Sequence, residues 1–308
     1  MSNDRSSITL IGFGEVGTTL ADDLIAAGRG GPGRLSAFDL AFDRPGSQAS
    51  GAAQTRATAA GLRVACSHGD AVVGATVIIS AVTAAETLAA ARRCAESLEA
   101  GSWYLDLNSA SPGVKQAAAE SIEAAGGRYV EAAVMSPIGP KRIACPILAG
   151  GPHAAGFESL AHAIGFAGYR VFSDRLGAAS ATKMCRSVIV KGVEALVSES
   201  MLAARHYGVE DVVLASLGDL FPVDDWEKLA RYMISRTLEH GTRRAEEMRE
   251  VARTVTEAGF EPLMSAACVQ RQEWAPQHRV ALRTETLGEM LDAITASAGT
   301  NNDEEKLA

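Results

Sequence analysis

The sequence predicts an α/β protein: a doubly wound domain with a parallel sheet, followed by an all-α domain. Two observations predict this fold class. Up to about residue 175, short apolar runs alternate with helix-like segments, as they do in successive βα units. Beyond that point, every segment favours helix. We therefore expect one domain over residues 1–175 and a second over residues 176–308, which begins with a long inter-domain helix.

Composition excludes several classes of function. The chain has 308 residues, enough for about two domains, and a net charge of −8 without a basic stripe, so a nucleic-acid partner is not expected. No apolar run reaches the roughly 18 residues of a membrane span, and the polar N-terminus lacks a signal-peptide pattern. The five scattered cysteines form no C-x-x-C pair. They indicate reduced thiols in a cytoplasmic protein and no metal site.

The first predicted strand, residues 8–11, leads directly into a glycine-rich turn, and a helix-like segment follows. The turn reads Gly12, Phe13, Gly14, Glu15, Val16, Gly17. In this G-x-G-x-x-G pattern the first glycine permits a tight turn, the second lets a pyrophosphate approach the backbone, and the third lets helix and strand pack closely. We predict that these six residues bind a dinucleotide in a Rossmann-type domain; a purely structural glycine turn is the alternative.

Asp39 follows the second predicted strand, about 20 residues after the last glycine of the motif. An acid at this position binds the adenosine ribose hydroxyls and repels a 2′-phosphate, so the sequence favours NAD over NADP. Arg44 is close enough to keep NADP possible. The alternative for Asp39 is a plain turn residue.

Two further predicted strands end in residues that should border the cofactor cleft, because open α/β sheets bind ligands at the carboxyl ends of their strands. The apolar run at residues 76–82 places the backbone of Val82 and Thr83 there. The next strand leaves Asn108 and Ser109 facing the cleft.

Two helix starts are predicted after these strands. Thr83 and Glu86 have capping-box spacing, so a helix is expected directly after Thr83. Ser111 and Pro112 form a favourable N-cap and N1 pair.

The longest helix-like segment runs from Gly177 to about Arg205. It lacks proline and is rich in Ala, Leu, Met, Lys and Glu, all good helix formers. A helix of this length spans roughly 40 Å, more than one small domain needs. Lys183 lies near its start among small and apolar residues.

Four segments together resemble the β-hydroxyacid dehydrogenase family, which includes 3-hydroxyisobutyrate and 6-phosphogluconate dehydrogenases. Residues 12–17 match the glycine turn, and residues 106–112 resemble the family's D-x-S/N-S/T-x-x-P segment. Residues 131–137 are similar to the D-A-P-V-S-G-G substrate loop, and residues 177–183 to the G-x-G-x-x-x-K helix start that carries the family's catalytic lysine. The resemblance covers residues 8 to about 205.

The chain departs from the family pattern in the substrate-loop segment, at the start of the lysine helix and after the lysine. Ser136 is followed by Pro137 instead of glycine, and Ala179 replaces the second glycine before the lysine. Ser187 stands where the family usually has Asn. Val190 stands where phosphogluconate dehydrogenases place a glutamate acid, so decarboxylation of a sugar phosphate by that mechanism is not expected.

The resemblance implies an oxidoreductase that transfers hydride between NAD(P) and a small β-hydroxy acid, or its aldehyde or keto form. Lys183 would be the general acid/base, a role that requires the neutral amine and is favoured by desolvation or a neighbouring cation. The candidate substrate-binding residues are Ser109, Ser136, Arg186, Ser187 and His240. Asn108 is a candidate for holding the substrate or the nicotinamide.

Three alternatives stay open. Arg186 is equally well explained as a surface charge. An imine reductase shares this architecture but typically replaces the lysine, so Lys183 weighs against it. The altered substrate loop and Ser187 leave a catalytically silent dinucleotide-binding sensor as a further alternative.

After Tyr207 the sequence predicts helices over residues 210–220, 224–239, 242–258, 263–269 and 284–296. Pro222, Gly241, Gly259 and Pro262 are the predicted breaks between them. Its apolar content predicts a homodimer or higher homo-oligomer. His240, Arg243, Arg244 and Glu247 are expected on a solvated or salt-bridged helix face, and Lys191 at the surface or in an ion pair. In related dimers the partner's helical domain reaches the substrate site, so His240 and Arg243 are also candidates for that role.

Overall fold

The computed structural model describes residues 7–31, 34–43, 54–55 and 57–305, with side chains omitted at residues 219–220 and 299–305. The chain divides into two compact units, Met1–Met184 and Cys185–Ala308. The border falls inside a long helix, whereas the boundary expected from the sequence lies just before that helix. Residue 44, which bears on the choice between NAD and NADP, lies outside the described residues.

The first unit contains one sheet, for which the described residues provide eight strands. In chain order they are β1 Ile8–Ile11, β2 Leu35–Phe38, β3 Arg63–Val64, β4 Val77–Ser80, β5 Trp103–Asp106, β6 Arg128–Val134, β7 Ile147–Gly150 and β8 Tyr169–Ser173. The spatial order is β3-β2-β1-β4-β5-β6-β7-β8, and only the β6–β7 pair is antiparallel. The order reverses direction between β1 and β4, so the loops after these two strands diverge and leave a crevice there.

Helices accompany the sheet in the first unit. They are α1 Glu15–Ala26, α2 His68–Val72, α3 Thr87–Ala95, α4 Pro112–Ala124, α5 Ile138–Lys141 and α6 Ala154–Ile164, followed by the start of α7 Ala178–Tyr207. Adjacent residues of a strand enter opposite cores: Leu10 packs in one apolar cluster and Ile11 in another. Both clusters are buried, which explains why β1 and β4 are apolar except at Thr9 and Ser80. The predicted α/β fold class is confirmed.

The two predicted helix starts have different outcomes. Ser111 Oγ accepts a hydrogen bond from the Val114 N–H at 3.4 Å, so the predicted N-cap of α4 is confirmed. The helix expected directly after Thr83 begins there as a 3₁₀ turn, Ala84–Glu86, and continues as α3 through Ala90 to Ala95. The predicted capping box is wrong, because the Thr83 side chain makes no cap hydrogen bond.

The second unit is helical. After the remainder of α7 it contains α8 Glu210–Leu220, α9 Trp226–Glu257, α10 Leu263–Trp274, a 3₁₀ segment Ala275–Arg283, and α11 Leu287–Glu305. Its apolar core includes Met201, Ile234, Leu238 and Leu291. Within the described part of the chain, no helix combines the length and the apolar character needed to cross a membrane.

The predicted helix break at Gly241 is wrong, because α9 continues through this residue without interruption. A Cβ atom added to Gly241 would lie 2.3 Å from the carbonyl oxygen of Gln272 and 2.8 Å from the Pro276 ring. The glycine therefore allows the segment around Gln272 to approach α9 closely. Local sequence indicated a chain break, whereas tertiary packing requires a small residue.

Candidate active site

The glycine turn after β1 has three glycines with different structural requirements. Gly12 has φ +98°, and an added Cβ would lie 2.3 Å from the Ala81 carbonyl oxygen. An added Cβ on Gly17 would lie 2.1 Å from the Gly12 carbonyl oxygen. Around Gly14, no other atom of the described chain lies within 4 Å of an added Cβ. The chain's own packing thus requires Gly12 and Gly17, whereas Gly14 faces open space, where a pyrophosphate can approach the backbone.

The N-terminus of α1 faces the same space. Gly14 is its N-cap residue and supplies no side-chain cap, so the first-turn N–H groups can serve an anionic ligand. The Phe13 ring is buried and packs 5.8 Å from Phe42, so Phe13 belongs to the turn through its backbone. Glu15 is exposed and Val16 is half-buried at the start of the helix. This geometry fits the pyrophosphate of a dinucleotide.

Asp39 lies at the carboxyl end of β2 with both carboxylate oxygens engaged by backbone N–H groups. Oδ2 accepts from Phe13 at 2.6 Å, and Oδ1 accepts from Ala41 at 2.7 Å. The half-buried carboxylate is therefore held directly beside the glycine turn. Each oxygen retains a second lone pair, so Asp39 can still accept hydrogen bonds from ribose hydroxyls.

Asn108 connects the ends of two strands. Its Oδ1 accepts from the Val82 N–H at 2.7 Å, and its Nδ2 donates to Ser80 Oγ at 3.0 Å. The side chain is buried, with 4% of its surface exposed. Asn108 thus holds the backbone of Val82 in place. Val82 is half-buried, and Thr83, which follows it, is exposed. Asn108 therefore links the carboxyl ends of β4 and β5, and its role toward a cofactor or substrate stays a prediction.

Lys183 and Ser109 come together at the same edge of the sheet. Lys183 Nζ donates a hydrogen bond to Ser109 Oγ at 2.7 Å, although 74 residues separate them along the chain. Both residues are half-buried. Ser109 follows β5, and Lys183 lies in the second turn of α7. Sequence reasoning placed both residues at the cleft but did not predict their contact.

A buried polar cluster lies beneath Ser109. Asp106 Oδ1 lies 2.7 Å from Lys115 Nζ, and Asp106 Oδ2 accepts a hydrogen bond from the Tyr129 hydroxyl at 2.6 Å. The Asn108 N–H donates to Asp106 Oδ1 at 2.9 Å. Burial, and then the Asp106 carboxylate, raise the pKa of Tyr129 well above its usual value, so the tyrosine stays protonated and donates. Sequence reasoning missed Lys115 and Tyr129, because nothing local distinguishes them from other helix and strand residues.

Glu131 was also missed as a functional residue, although it begins one of the family-like segments. It is fully buried on β6, and its carboxylate accepts hydrogen bonds from two backbone N–H groups at the start of α7. Ser136 of the same segment is half-buried after the end of β6, and its Oγ donates to the Pro137 carbonyl at 3.2 Å.

The remaining predicted substrate residues belong to the second unit. Arg186 is exposed and Ser187 is 9% exposed. His240 Nε2 lies 3.1 Å from Glu239 Oε2, and burial, followed by the charge of Arg236, lowers the pKa of His240. Their roles toward a substrate stay predictions.

The charged residues near His240 form ion pairs. Arg244 pairs with Glu194, and both are buried; Arg243 pairs with Glu247, which also lies 2.5 Å from Lys191 Nζ. The predicted salt bridges of Arg243, Arg244 and Glu247 are therefore confirmed. The predicted surface position of Arg244 is wrong, because this side chain is buried.

Two families match the chain. The NAD binding domain of 6-phosphogluconate dehydrogenase matches residues 7–177, more than half of the sequence. A domain of unknown function (DUF1932) matches residues 204–275. The first match includes the glycine turn, Asp39, Asn108 and Ser109, whereas Lys183 lies between the two matched ranges. No curated protein matches the chain significantly.

Solved structures share the fold over nearly the whole chain. A conserved hypothetical protein from Sinorhizobium meliloti 1021 is 33% identical, with a TM-score of 0.72, and the match covers 96% of this chain and 97% of that one. Mycobacterium tuberculosis 3-hydroxyisobutyrate dehydrogenase, solved with L-serine, is 16% identical, with a TM-score of 0.68 and coverage of 94% and 99%. A Streptomyces aurantiacus imine reductase is 15% identical, with a TM-score of 0.53 and coverage of 93% and 99%. The last two identities are so low that these matches show the fold alone.

Proposed function

Because this chain belongs to the family of the NAD-binding domain of 6-phosphogluconate dehydrogenase, we propose that it transfers hydride between NAD(P) and a small β-hydroxy acid, or its aldehyde or keto form. Family membership confirms the predicted resemblance and identifies NAD(P) as the cofactor. The substrate class and the acid/base role of Lys183 are proposals. The observation that carries them is the 2.7 Å contact between Lys183 Nζ and Ser109 Oγ at the sheet edge that also holds the glycine turn.

Lys183 and Ser109 can perform the proton transfer that this reaction needs. When bound, the nicotinamide supplies the hydride acceptor or donor. A neutral Lys183 amine donates one N–H to Ser109 Oγ and keeps its lone pair for the proton of the substrate hydroxyl. As the hydroxyl carbon loses hydride, the hydroxyl proton moves to Nζ and the C–O bond becomes a carbonyl. In the reverse direction the ammonium returns this proton to the carbonyl oxygen.

Asp39 supports NAD as the preferred cofactor. Two backbone N–H groups hold its carboxylate beside the glycine turn, so a 2′-phosphate placed there would meet a fixed negative charge. We propose that Asp39 binds the ribose hydroxyls and that the backbone from Gly12 to Gly17, with Val82 and Thr83, borders the rest of the cofactor.

The other side chains have proposed roles around the substrate. Ser109 and Ser136 are hydrogen-bond donors for a carboxylate, and Arg186 is a candidate for pairing with it bidentately. Ser187 and His240 complete the proposed set. Decarboxylation of a sugar phosphate is not proposed, because Val190 cannot replace a glutamate acid.

A screen of small hydroxy acids with NAD and with NADP tests this function, with absorbance at the reduced nicotinamide band as the readout. We expect at least one hydroxy acid to drive NAD reduction. Lys183→Met should bind NAD normally but lower kcat by about 10²–10⁴-fold, the usual contribution of a positioned acid/base. Lys228→Met, at an exposed lysine of α9, is the matched control and should retain full activity.

Other outcomes would change the assignment. Turnover of a cyclic imine with the reduced cofactor, without turnover of any hydroxy acid, would support an imine reductase. Tight NAD binding without turnover of either substrate class would support a dinucleotide-binding sensor. A Lys183→Met variant with unchanged kcat would remove the lysine from the reaction.

We further propose that the chain forms a homodimer through the exposed face of α7. Ile189 and Leu196 lie seven residues apart on this face, with 69% and 56% of their surfaces exposed. These two side chains form an apolar stripe on the outer face of the helix, which a second copy of the chain would cover. A cytoplasmic location is proposed from the cysteines, all five of which are free thiols.

A further inference from the structure

Glu131 is a buried carboxylate in the middle of the sheet. It lies on β6 beside Asp106 of β5 and Gly150 of β7, and none of its surface is exposed. Burying an ionised carboxylate is costly unless hydrogen bonds compensate the charge. The residue therefore needs partners that a strand by itself does not supply.

The partners are backbone N–H groups at the start of α7. Glu131 Oε2 accepts from Gly177 at 2.7 Å, and Oε1 accepts from Ser180 at 2.6 Å. The first intrahelical hydrogen bond runs from the Ala181 N–H to the Gly177 carbonyl at 2.9 Å, so the Gly177 and Ser180 N–H groups have no partner within the helix. A side chain from a strand thus caps the helix, and its negative charge lies at the positive end of the helix dipole.

Two glycines make room for this cap. A Cβ atom added to Gly150 would lie 2.7 Å from Glu131 Oε2 and would displace the carboxylate. Gly177 has φ +89°, a backbone conformation that favours glycine, and an added Cβ would lie 3.2 Å from Pro112. The start of α7 is therefore held against β6 on one side and against the first turn of α4 on the other.

We propose that Glu131 is the positioning residue for Lys183. Ser180 lies one helical turn before Lys183, and helical side chains lean toward the N-terminus of their helix. The two hydrogen bonds that Glu131 accepts therefore determine where the first turn of α7 lies and bring Lys183 Nζ to Ser109. Glu131 acts through the helix backbone. This inference rests on the proposed role of Lys183 in catalysis, but the position of the lysine can be measured without turnover.

The first test is NMR of protein labelled with ¹³C at the lysine Cε atoms. The chain has six lysines, so the Lys183 signal can be assigned by its loss in Lys183→Arg. In Glu131→Gln an amide NH₂ group replaces one of the two acceptor oxygens. This NH₂ group then faces a backbone N–H donor of α7, so one of the two hydrogen bonds is lost. We expect the Lys183 resonance and its pH titration to shift, and amide exchange at Gly177 and Ser180 to accelerate, while the Lys228 signal stays unchanged. Glu120→Gln, at an exposed glutamate of α4, is the matched control.

The second test is kinetic and uses the substrate found in the hydroxy-acid screen. Glu131→Gln should lower kcat by about 10–100-fold, because small displacements of a catalytic group have effects of this size. The Kd for NAD should stay within about twofold, and Glu131→Asp should recover part of the loss. A purely structural role would lower the melting temperature without moving the Lys183 titration.

Gly150→Ala keeps the carboxylate but displaces it, so it should shift the Lys183 signal in the same direction if Glu131→Gln does not fold. A folded Glu131→Gln or Gly150→Ala protein with the wild-type Lys183 titration overturns the proposal. If no hydroxy acid is turned over, the proposed function fails, while the NMR result still decides whether Glu131 positions Lys183.

Discussion

The two units of this chain differ in how their buried charges are compensated and in where apolar side chains are exposed. In the sheet unit, the buried Asp106 carboxylate pairs with Lys115 and accepts a hydrogen bond from the Tyr129 hydroxyl. The buried Glu131 carboxylate accepts hydrogen bonds from backbone N–H groups. In the helical unit, α7 buries Lys191 and Glu194 in ion pairs and exposes Ile189 and Leu196. The sheet unit thus completes its own interior, whereas the helical unit leaves an apolar face uncovered.

The helix pattern rule that holds for α1 of the sheet unit does not hold along α7. An amphipathic surface helix normally turns apolar residues inward and charged residues outward. Along α7 this pattern is reversed: Lys191 and Glu194 are buried, whereas Ile189 and Leu196 are exposed. A second copy of the chain on the outer face would restore the rule, because Ile189 and Leu196 would then be interior residues of the assembly.

The largest expected effect on stability is in the buried ion pair of the helical unit. Arg244→Met leaves the Glu194 carboxylate buried without this partner and should lower the free energy of unfolding by about 3–5 kcal/mol. Lys115→Met, in the sheet unit, should lower it by less, because Asp106 keeps the Tyr129 hydroxyl and the Asn108 N–H. Urea unfolding measures both changes.

The double variant Arg244→Met with Glu194→Leu is the control for this pair. It removes both charges and should recover most of the loss, since apolar replacement of a whole buried pair is often neutral. Equal losses for Arg244→Met and Lys115→Met would contradict the contrast between the two units.

A smaller effect is expected on self-association. Ile189→Asp places a charge in the apolar stripe of α7 and should weaken dimerisation by about 2 kcal/mol, roughly 30-fold in Kd, as at an interface hot spot. Val73→Asp, at an exposed apolar residue of the sheet unit, should leave association unchanged. Analytical ultracentrifugation over a concentration series measures both. A monomeric wild-type protein, or equal effects of both variants, would contradict the proposed interface.

The smallest effect is a pH dependence of stability. Burial, and then the charge of Arg271, lower the pKa of His278, which is 1% exposed in the helical unit. The unfolded chain therefore binds a proton more readily than the folded one. The contribution of this histidine to the free energy of unfolding is complete above the unfolded pKa of about 6.5. It is lost as the pH falls below that value toward the lowered pKa of the folded state.

Thermal unfolding between about pH 5 and 8 measures this slope. His278→Gln should flatten it on the acid side, whereas a substitution at His206, which is exposed on α7, should not change it. An unchanged slope in His278→Gln would exclude this histidine as its source. His68 of the sheet unit, whose pKa burial also lowers, would then be examined by the same substitution.

Much of the sheet unit could be predicted from local patterns. The apolar runs of β1 and β4, the glycine turn between β1 and α1, and the N-cap at Ser111 all depend on residues close together in the chain. The long helix that carries Lys183 was predicted from helix propensity and lies at Ala178–Tyr207. These features were accessible because short-range sterics and hydrogen bonding largely determine turns, caps and periodicity.

Features that join distant segments could not be predicted in this way. Glu131 caps a helix that begins 47 residues later, and Lys183 meets Ser109 across 74 residues. Gly241 looked like a helix break, but its function is to admit the Gln272 carbonyl. The fold class, the glycine turn after β1 and the helix that carries the lysine all follow from the sequence. Only the tertiary structure decided what surrounds that lysine, because packing brings together donors and acceptors whose sequence separation carries no local signal.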